Sequence, residues 1–216
     1  MKNLSIYVHI PFCAHKCIYC DFYSITKTAD KEKYLESLLR EIGFYAEKYS
    51  NGRKVISVSF GGGTPSLMEP EYILKIIAAI KRNFWLKPDA EITLEANPGT
   101  LDKEKTQGFL SAGINRLSLG VQSFDDGELE FLTRIHDSKT AEQTVKEAFF
   151  YGFKNINIDL IFNLPAQTKT KWKKTLQKAI SLPVSHISAY SLILEKGTIL
   201  YKMVTDKKAE INGQEF

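Results

Sequence analysis

Three cysteines lie close together near the N-terminus, and they are all the cysteines of the 216-residue chain. Cys13, Cys17 and Cys20 follow the spacing Cys-x3-Cys-x2-Cys, directly after a short apolar run. Thiolate ligands select soft metals, chiefly zinc and the iron of iron–sulfur clusters. Structural zinc sites and protein-bound clusters usually have four protein ligands. Three thiolates on a four-iron cluster would therefore leave one iron open to a small molecule.

A structural zinc site is the alternative interpretation of the same residues. In that site Cys13, Cys17 and Cys20 would bind the ion together with His9 or His15. The spacing favours a cluster, because three ligands on one short loop can hold three corners of a four-iron cube.

The composition is that of one globular domain, with 44% hydrophobic and 25% charged residues and a net charge of +4. Basic and acidic residues are mixed along the chain, so the charge does not indicate a nucleic-acid partner. No apolar stretch is long enough to span a bilayer, and no secretory signal is visible. An odd number of clustered cysteines is a poor disulfide framework and predicts a reducing, cytoplasmic location.

Six short apolar runs alternate with helical patterns along the chain. The predicted strands span residues 5–10, 55–60, 91–95, 116–121, 156–162 and 186–194. Such alternation predicts a parallel sheet with right-handed crossovers. Six β/α units are too few for an eight-stranded barrel, so we expect an α/β fold of the partial, TIM-like (β/α)6 type. An open doubly wound sheet is the alternative.

The predicted helices cover residues 30–49, the stretch after Pro70, the stretch before Gly113, parts of 125–152, and 170–181. One core domain is expected over residues 1–200. Residues 201–216 would begin a C-terminal region that is otherwise absent.

Polar residues occur where the predicted strands end. The cysteines follow the first strand, a glycine run follows the second, and Glu95 and Gln122 end the third and fourth. In barrels and open α/β sheets, sites are built on this face. Structural roles are the alternatives: a turn with positive φ for the glycines and a helix cap for Glu95. Asp159 lies inside an apolar strand, where a carboxylate costs several kcal/mol unless it is paired.

The cysteine spacing, with an aromatic residue before the last cysteine, resembles the cluster motif of the radical S-adenosylmethionine (SAM) superfamily. The resemblance implies a [4Fe-4S] cluster whose open iron binds the amino and carboxylate groups of SAM. It also implies cleavage of SAM to methionine and a 5′-deoxyadenosyl radical by an electron from the cluster. Residues 61–65, Gly-Gly-Gly-Thr-Pro, resemble the superfamily's glycine-rich motif, whose backbone contacts the SAM amino group.

Four segments together resemble the oxygen-independent coproporphyrinogen III oxidase family over nearly the whole chain. They are residues 7–13, 61–65, 120–124 and 159–161. The resemblance implies that the cysteines hold the cluster and that one or two SAM molecules contact a further set of residues. That set is Tyr7, Tyr19, Gly62, Gly63, Thr64, Glu95, Gln122, Arg134, Asp159 and Ile193.

Two differences from the oxidase proper resemble the haem-chaperone branch of this family. Phe22 stands where the oxidase has a fourth cysteine, and six residues precede Tyr7 where the oxidase has an N-terminal extension. That branch implies cluster and SAM binding with transfer of haem to acceptor proteins. The alternatives are oxidative decarboxylation of coproporphyrinogen III to protoporphyrinogen IX, or a non-enzymatic, zinc-stabilised α/β domain.

Several partners follow from the same resemblance. They are SAM, haem or a porphyrin, a haem-acceptor protein, and a flavodoxin- or ferredoxin-like reductant. Members of the family continue into a C-terminal domain that contributes to haem binding, so haem is expected in the full-length protein.

Overall fold

The structure is a computed structural model that describes residues 1–210. The last six residues of the predicted C-terminal region, 211–216, lie outside the described part. Six parallel strands form one sheet in sequential order, β1 (Lys2–Ile10), β2 (Arg53–Gly62), β3 (Leu86–Ala96), β4 (Arg116–Gln122), β5 (Ile156–Phe162) and β6 (His186–Ser191).

Helices connect and follow these strands. They are α1 (Lys31–Tyr49), α2 (Pro70–Asn83), α3 (Lys103–Ala112), α4 (Asp126–Phe131), α5 (Ser138–Phe150), α6 (Lys169–Ile180) and α7 (Ile199–Thr205). Within residues 1–210, no helix is both long and apolar enough to cross a membrane.

The strand order confirms the predicted partial barrel. Each parallel strand pairs with the next one along the chain. Because the crossovers between parallel strands all have the same, right-handed sense, the helices lie on one side of the sheet. A doubly wound sheet would instead reverse its strand order and carry helices on both faces. The described residues therefore form a half-barrel with an open concave face.

Side chains alternate between the two faces of each strand. The outer face is apolar, and Phe60, Leu94, Leu119 and Ile158 are fully buried there under the helices. The concave face is largely polar, as shown by Ser57 Oγ donating to Ser5 Oγ across β2 and β1 (2.8 Å). Both faces of an all-parallel sheet are normally covered. Because no helix in the described part of the chain covers this polar face, it is available to another molecule.

Several element ends differ from the sequence prediction. β3 begins at Leu86 rather than at residue 91, because Leu86 pairs with Val55 ahead of an irregularity in the ladder. β6 ends at Ser191 rather than at 194. Helix α7 crosses the predicted boundary at residue 200, and its Leu200 N–H donates to Ile18 O in the loop after β1 (2.9 Å).

Candidate metal and cofactor site

The loop after β1 carries the three thiols and is folded back on itself. Cys13 N–H donates to Ile25 O (2.9 Å), and Ile25 N–H donates to Pro11 O (2.8 Å). Cys20 N–H donates to Cys17 O (3.1 Å), which turns the chain between the last two thiols. All three cysteines are half-buried and free. Burial raises the pKa of the Cys20 thiol, so a metal must displace a more tightly held proton there.

Two neighbouring segments reach the cysteine sulfurs. Thr64 Oγ1, in the turn after β2, lies 3.3 Å from Cys13 Sγ. Arg134 Nη1, in the link between α4 and α5, donates to Cys17 Sγ (3.6 Å), and Thr133 O lies 3.9 Å from the same sulfur. Arg134 thus supplies a charged hydrogen-bond donor to Cys17 Sγ, the atom that would bind a metal.

Arg134 and Asn97 complete a hydrogen-bonded path between these two thiols. Arg134 Nη2 donates to Asn97 Oδ1 (2.6 Å) and to Gly120 O (2.8 Å). Asn97 Nδ2 donates in turn to Thr64 Oγ1 (3.0 Å). We call Thr64, Asn97 and Arg134 the polar bridge. It ties the turn after β2, the loop after β3 and the α4–α5 link to the cysteine loop, so the positions of the thiols depend on three separate segments at once.

The polar bridge leaves one buried donor unused. Arg134 Nε is buried and has no hydrogen-bond partner among residues 1–210. Buried N–H groups in proteins are nearly always paired, so an unpaired one indicates a bound ligand or water. Arg134 also lines a small cleft together with Cys13, His15, Cys17, Thr64 and Asn97.

The three thiols are compatible with a four-iron cluster, in which each cysteine binds its own iron. Within residues 1–210, no three His, Cys, Asp or Glu side chains are grouped so that they could hold one metal ion. Three half-buried thiols on one loop, next to an unused guanidinium donor, fit such a cluster.

The glycine run packs against the cysteine loop without room for side chains. A Cβ on Gly63 would lie 2.5 Å from Phe12 O and 2.8 Å from Pro11 O. Gly62 has φ +112°, and its Cβ would lie 2.6 Å from the His9 ring. The predicted structural role, a turn with positive φ, is therefore confirmed at Gly62. The contact of the glycines with SAM stays a prediction.

Glu95 and Tyr7 lie together at the open mouth of the concave face. Gly62 N–H donates to Glu95 Oε2 (3.3 Å). The pKa of the Glu95 carboxyl is raised, mainly because the surrounding protein removes it from water. The negative charge of Asp159 raises this pKa further, whereas the hydrogen bond from Gly62 N–H lowers it. Burial and then the Glu95 charge raise the pKa of Tyr7, whose hydroxyl lies 3.2 Å from His9 Nδ1.

Asp159 faces the concave side and is fully hydrogen-bonded. Ser118 Oγ donates to its Oδ2 (3.0 Å) and Asn157 Nδ2 to its Oδ1 (2.8 Å). Asn157 is itself held by Ser188 Oγ, which donates to its Oδ1 (3.0 Å). The pairing that a carboxylate inside an apolar strand requires is present. The predicted SAM contact of Asp159 is a separate matter and stays a prediction.

The remaining predicted contacts are distributed around the same strand ends. Gln122 has φ +70° at the end of β4, where the pairing with β5 shifts register. Tyr19 packs against Leu132 and Leu164, and burial raises its pKa. Ile193 lies just beyond β6, the edge strand opposite β1, and is 65% exposed.

Asn97 and Thr133 contact this site but are absent from the predicted residues. In the sequence Asn97 reads only as part of an Asn-Pro-Gly strand end. Thr133 directly precedes Arg134 and gives no signal of its own. Asn97 lies two residues after the predicted Glu95 and Thr133 directly precedes the predicted Arg134, and this proximity is the only sequence signal that points to them.

Comparison with known proteins identifies the family. The sequence profile of the Radical SAM superfamily matches residues 7–179. The chain belongs to the radical SAM superfamily. Membership implies a [4Fe-4S] cluster and SAM as the cofactors of this fold.

The curated relatives of this radical SAM chain include haem chaperones. It is 41% identical over 204 residues to "Heme chaperone HemW" of Haemophilus influenzae, covering 92% of this chain and 53% of that protein. It is 37% identical over 201 residues to the protein of the same name from Escherichia coli, covering 92% and 53%. It is also 37% identical to "Radical S-adenosyl methionine domain-containing protein 1, mitochondrial" of Danio rerio, covering 98% and 48%. The chain spans about half the length of these relatives.

Solved structures agree with the fold. Coproporphyrinogen III oxidase (HemN) from Escherichia coli, described as a radical SAM enzyme, matches with a TM-score of 0.85 and 30% identity. That match covers 99% of this chain and 49% of the oxidase. The archaeal Elp3 of Methanocaldococcus infernus matches with a TM-score of 0.69 at 15% identity over 98% of this chain and 51% of its own, which is a likeness of fold alone.

Proposed function

We propose that this chain is the cluster- and SAM-binding core of a haem chaperone. The polar bridge is the observation that carries the proposal, because it connects Cys13 and Cys17 through side chains from three separate segments and presents an unused donor, Arg134 Nε, beside the sulfurs. The similarity to proteins named haem chaperone supports the assignment to that branch.

In this proposal Cys13, Cys17 and Cys20 hold the cluster, which when bound supplies an electron and an open iron for SAM. Arg134 donates to Cys17 Sγ and so helps to hold that sulfur in position. The glycine turn keeps the cysteine loop close to β2, so the thiols stay beside the concave face. SAM would lie on that face against Tyr7, Tyr19, Gly62, Gly63, Thr64, Glu95, Gln122, Arg134, Asp159 and Ile193.

Haem, a haem-acceptor protein and a flavodoxin- or ferredoxin-like reductant are the further partners that we propose. The reducing, cytoplasmic location belongs to the same proposal, because the thiols must remain reduced to bind iron. Since the chain spans about half the length of its relatives, haem binding is assigned to the full-length protein.

Metal loading tests the site. Wild-type protein and a Cys17→Ser variant are incubated anaerobically with iron and sulfide, and the iron content and visible absorbance of each are measured. We expect about four irons per wild-type chain with broad absorbance in the violet, and a large loss of iron in the variant. A colourless wild-type protein that carries one zinc per chain would support the zinc-stabilised alternative instead.

Haem titration tests the chaperone assignment. This chain and the full-length protein are titrated with haem, and the Soret absorbance of the bound form is followed. We expect saturable binding by the full-length protein, weaker binding by this chain alone, and transfer of haem to an acceptor. Absence of binding by the full-length protein would contradict the assignment.

Oxidative decarboxylation is the second candidate, because the structural match to coproporphyrinogen III oxidase covers 99% of this chain. Phe22, at the oxidase's fourth cysteine, disfavours it; its side chain is 69% exposed on the cysteine loop. Reduced full-length protein incubated with coproporphyrinogen and SAM would form vinyl-bearing product if this second function holds. We expect none.

A further inference from the structure

Thr133 ends helix α4 in a backbone conformation that threonine rarely adopts. Its φ is +54°, in the left-handed region. Its N–H donates to Glu130 O and the N–H of Arg134 donates to Leu129 O, both at 2.9 Å. These two bonds form a Schellman motif, in which this position is usually glycine. A β-branched residue there is strained, so threonine at this place is less favourable for folding than glycine.

The atoms of Thr133 point to what compensates for this strain. Its Oγ1 accepts the N–H of Ile18 (3.1 Å) and lies 3.4 Å from His15 Nε2. Its carbonyl oxygen lies 3.9 Å from Cys17 Sγ. Thr133 therefore contacts the cysteine loop at His15, Cys17 and Ile18. A glycine at this position could make only the carbonyl contact with Cys17.

We infer that Thr133 is a positioning residue, which accepts backbone strain so that its hydroxyl holds the cysteine loop in the shape that binds the cluster. The inference rests on the proposed function of the cysteines. Thr133 acts through Ile18 and His15, and it also fixes the adjacent Arg134, whose Nη1 donates to Cys17 Sγ. Loss of the hydroxyl should loosen the loop even where the fold becomes more stable.

Three substitutions separate the hydroxyl from the strain. Thr133→Val removes the hydroxyl and keeps the branched side chain, Thr133→Ser keeps the hydroxyl, and Thr133→Gly removes both the hydroxyl and the strain. Relief of the strain should place the Tm of the metal-free glycine variant about 2–4 °C above that of the valine variant. Because the two variants lack the same hydroxyl, their loops should be loosened equally.

The mobility of the loop can be measured without a cluster. All three cysteines lie on this loop, so the rate at which a thiol reagent modifies the metal-free protein reports how often the loop opens. Loss of one hydrogen bond should raise this rate about fivefold in the valine and glycine variants. The serine variant should react at the wild-type rate. Iron retained after anaerobic loading should fall in valine and glycine and be preserved in serine.

Lys207 provides a matched control at an equivalent helix end. It follows α7 with φ +57°, and the same pair of bonds joins Lys207 N–H to Val204 O (3.0 Å) and Lys208 N–H to Met203 O (2.8 Å). Lys207→Gly should therefore raise the Tm through the same strain relief and leave the thiol rate and the iron content unchanged.

The outcomes distinguish a positioning role from a purely structural one. If thiol rates and iron loss follow the Tm across the variants, or if Thr133→Gly behaves like wild type in both, the inference is overturned. The same holds if Thr133→Ser reacts as fast as Thr133→Val. If wild-type protein itself retains no cluster, the proposed function fails, and the thiol rates of the metal-free variants still decide the role of Thr133.

Discussion

At the scale of single residues, the Arg134 side chain joins several parts of the site. Its two terminal nitrogens reach three elements: the cysteine loop, the loop after β3 and the backbone of β4. A planar guanidinium can direct several donors at once, which the single ammonium of a lysine cannot do. Substitution of this residue should therefore disturb the thiols as well as the fold.

We predict that Arg134→Lys lowers the free energy of unfolding by about 1–3 kcal/mol, because charged hydrogen bonds to Asn97 and Gly120 are lost. Less iron should be retained after anaerobic loading, since Cys17 loses its donor. Urea unfolding and iron analysis measure the two effects. Arg82→Lys, on the exposed side of α2, is the matched control and should change neither. Full iron retention by Arg134→Lys would show that the bridge is dispensable for the cluster.

Glu95 gives a prediction of pH dependence. Burial raises the pKa of its carboxyl in the folded state. A carboxyl with a raised folded pKa contributes stability below its unfolded pKa, near 4.5, and loses that contribution as the pH rises through the folded value. Glu95→Gln should therefore raise the Tm relative to wild type at neutral pH, and the difference should disappear below about pH 4.

Asp89→Asn is the control with the opposite sign for this experiment. A hydrogen bond from Lys87 lowers the pKa of Asp89, so its contribution is present above the unfolded pKa and lost as the pH falls. Asp89→Asn should accordingly lower the Tm slightly at neutral pH. Thermal unfolding curves between about pH 3 and pH 8 test both variants. A lower Tm for Glu95→Gln at neutral pH would contradict the account of Glu95.

At the scale of elements, the contact between the turn after β2 and the cysteine loop sets the geometry of the site. We predict that Gly63→Ala separates them, because its Cβ would lie 2.5 Å from a backbone oxygen that cannot rotate away. The Tm should fall by several degrees and the thiols of the metal-free protein should react faster. Differential scanning fluorimetry and thiol titration measure these changes.

Gly43 is the matched control for that substitution. It lies inside helix α1, and an added Cβ would meet no atom within 4 Å. Gly43→Ala should therefore stabilise the protein by about 0.5–1 kcal/mol, through the better helix propensity of alanine, without changing the thiols. A Gly63→Ala protein as stable as wild type would show that the turn can move without cost.

The order and type of the elements could be predicted from the sequence, because each apolar run is short and each is followed by a helical pattern. Their ends could not, since the start of β3 depends on the pairing of Leu86 with Val55 on another strand. The same reason explains the site residues. The cysteines and glycines can be recognised in the sequence by residue type and spacing. Asn97 and Thr133 are turn residues, and their roles depend on contacts with loops that are distant in sequence.

At the scale of the whole molecule, the half-barrel has one covered and one open face. The covered face is a continuous apolar core under the helices. The open face carries a row of polar side chains, among them Ser5, Ser57, Glu95, Ser118, Asn157, Asp159 and Ser188. Polar groups on a concave face between the strand ends suit a small polar cofactor. The cysteine loop lies at one end of this face, where such a molecule could reach a cluster.

If the three cysteines hold a cluster with one iron open to SAM, the cluster must respond to SAM. Electron paramagnetic resonance spectra of the anaerobically loaded, reduced wild-type protein are recorded with and without SAM, beside those of Cys17→Ser. We expect a cluster signal in the wild type that changes when SAM is added, and loss of that signal in the variant. A wild-type cluster whose spectrum is unaffected by saturating SAM, or a protein that binds zinc in place of a cluster, would contradict this expectation.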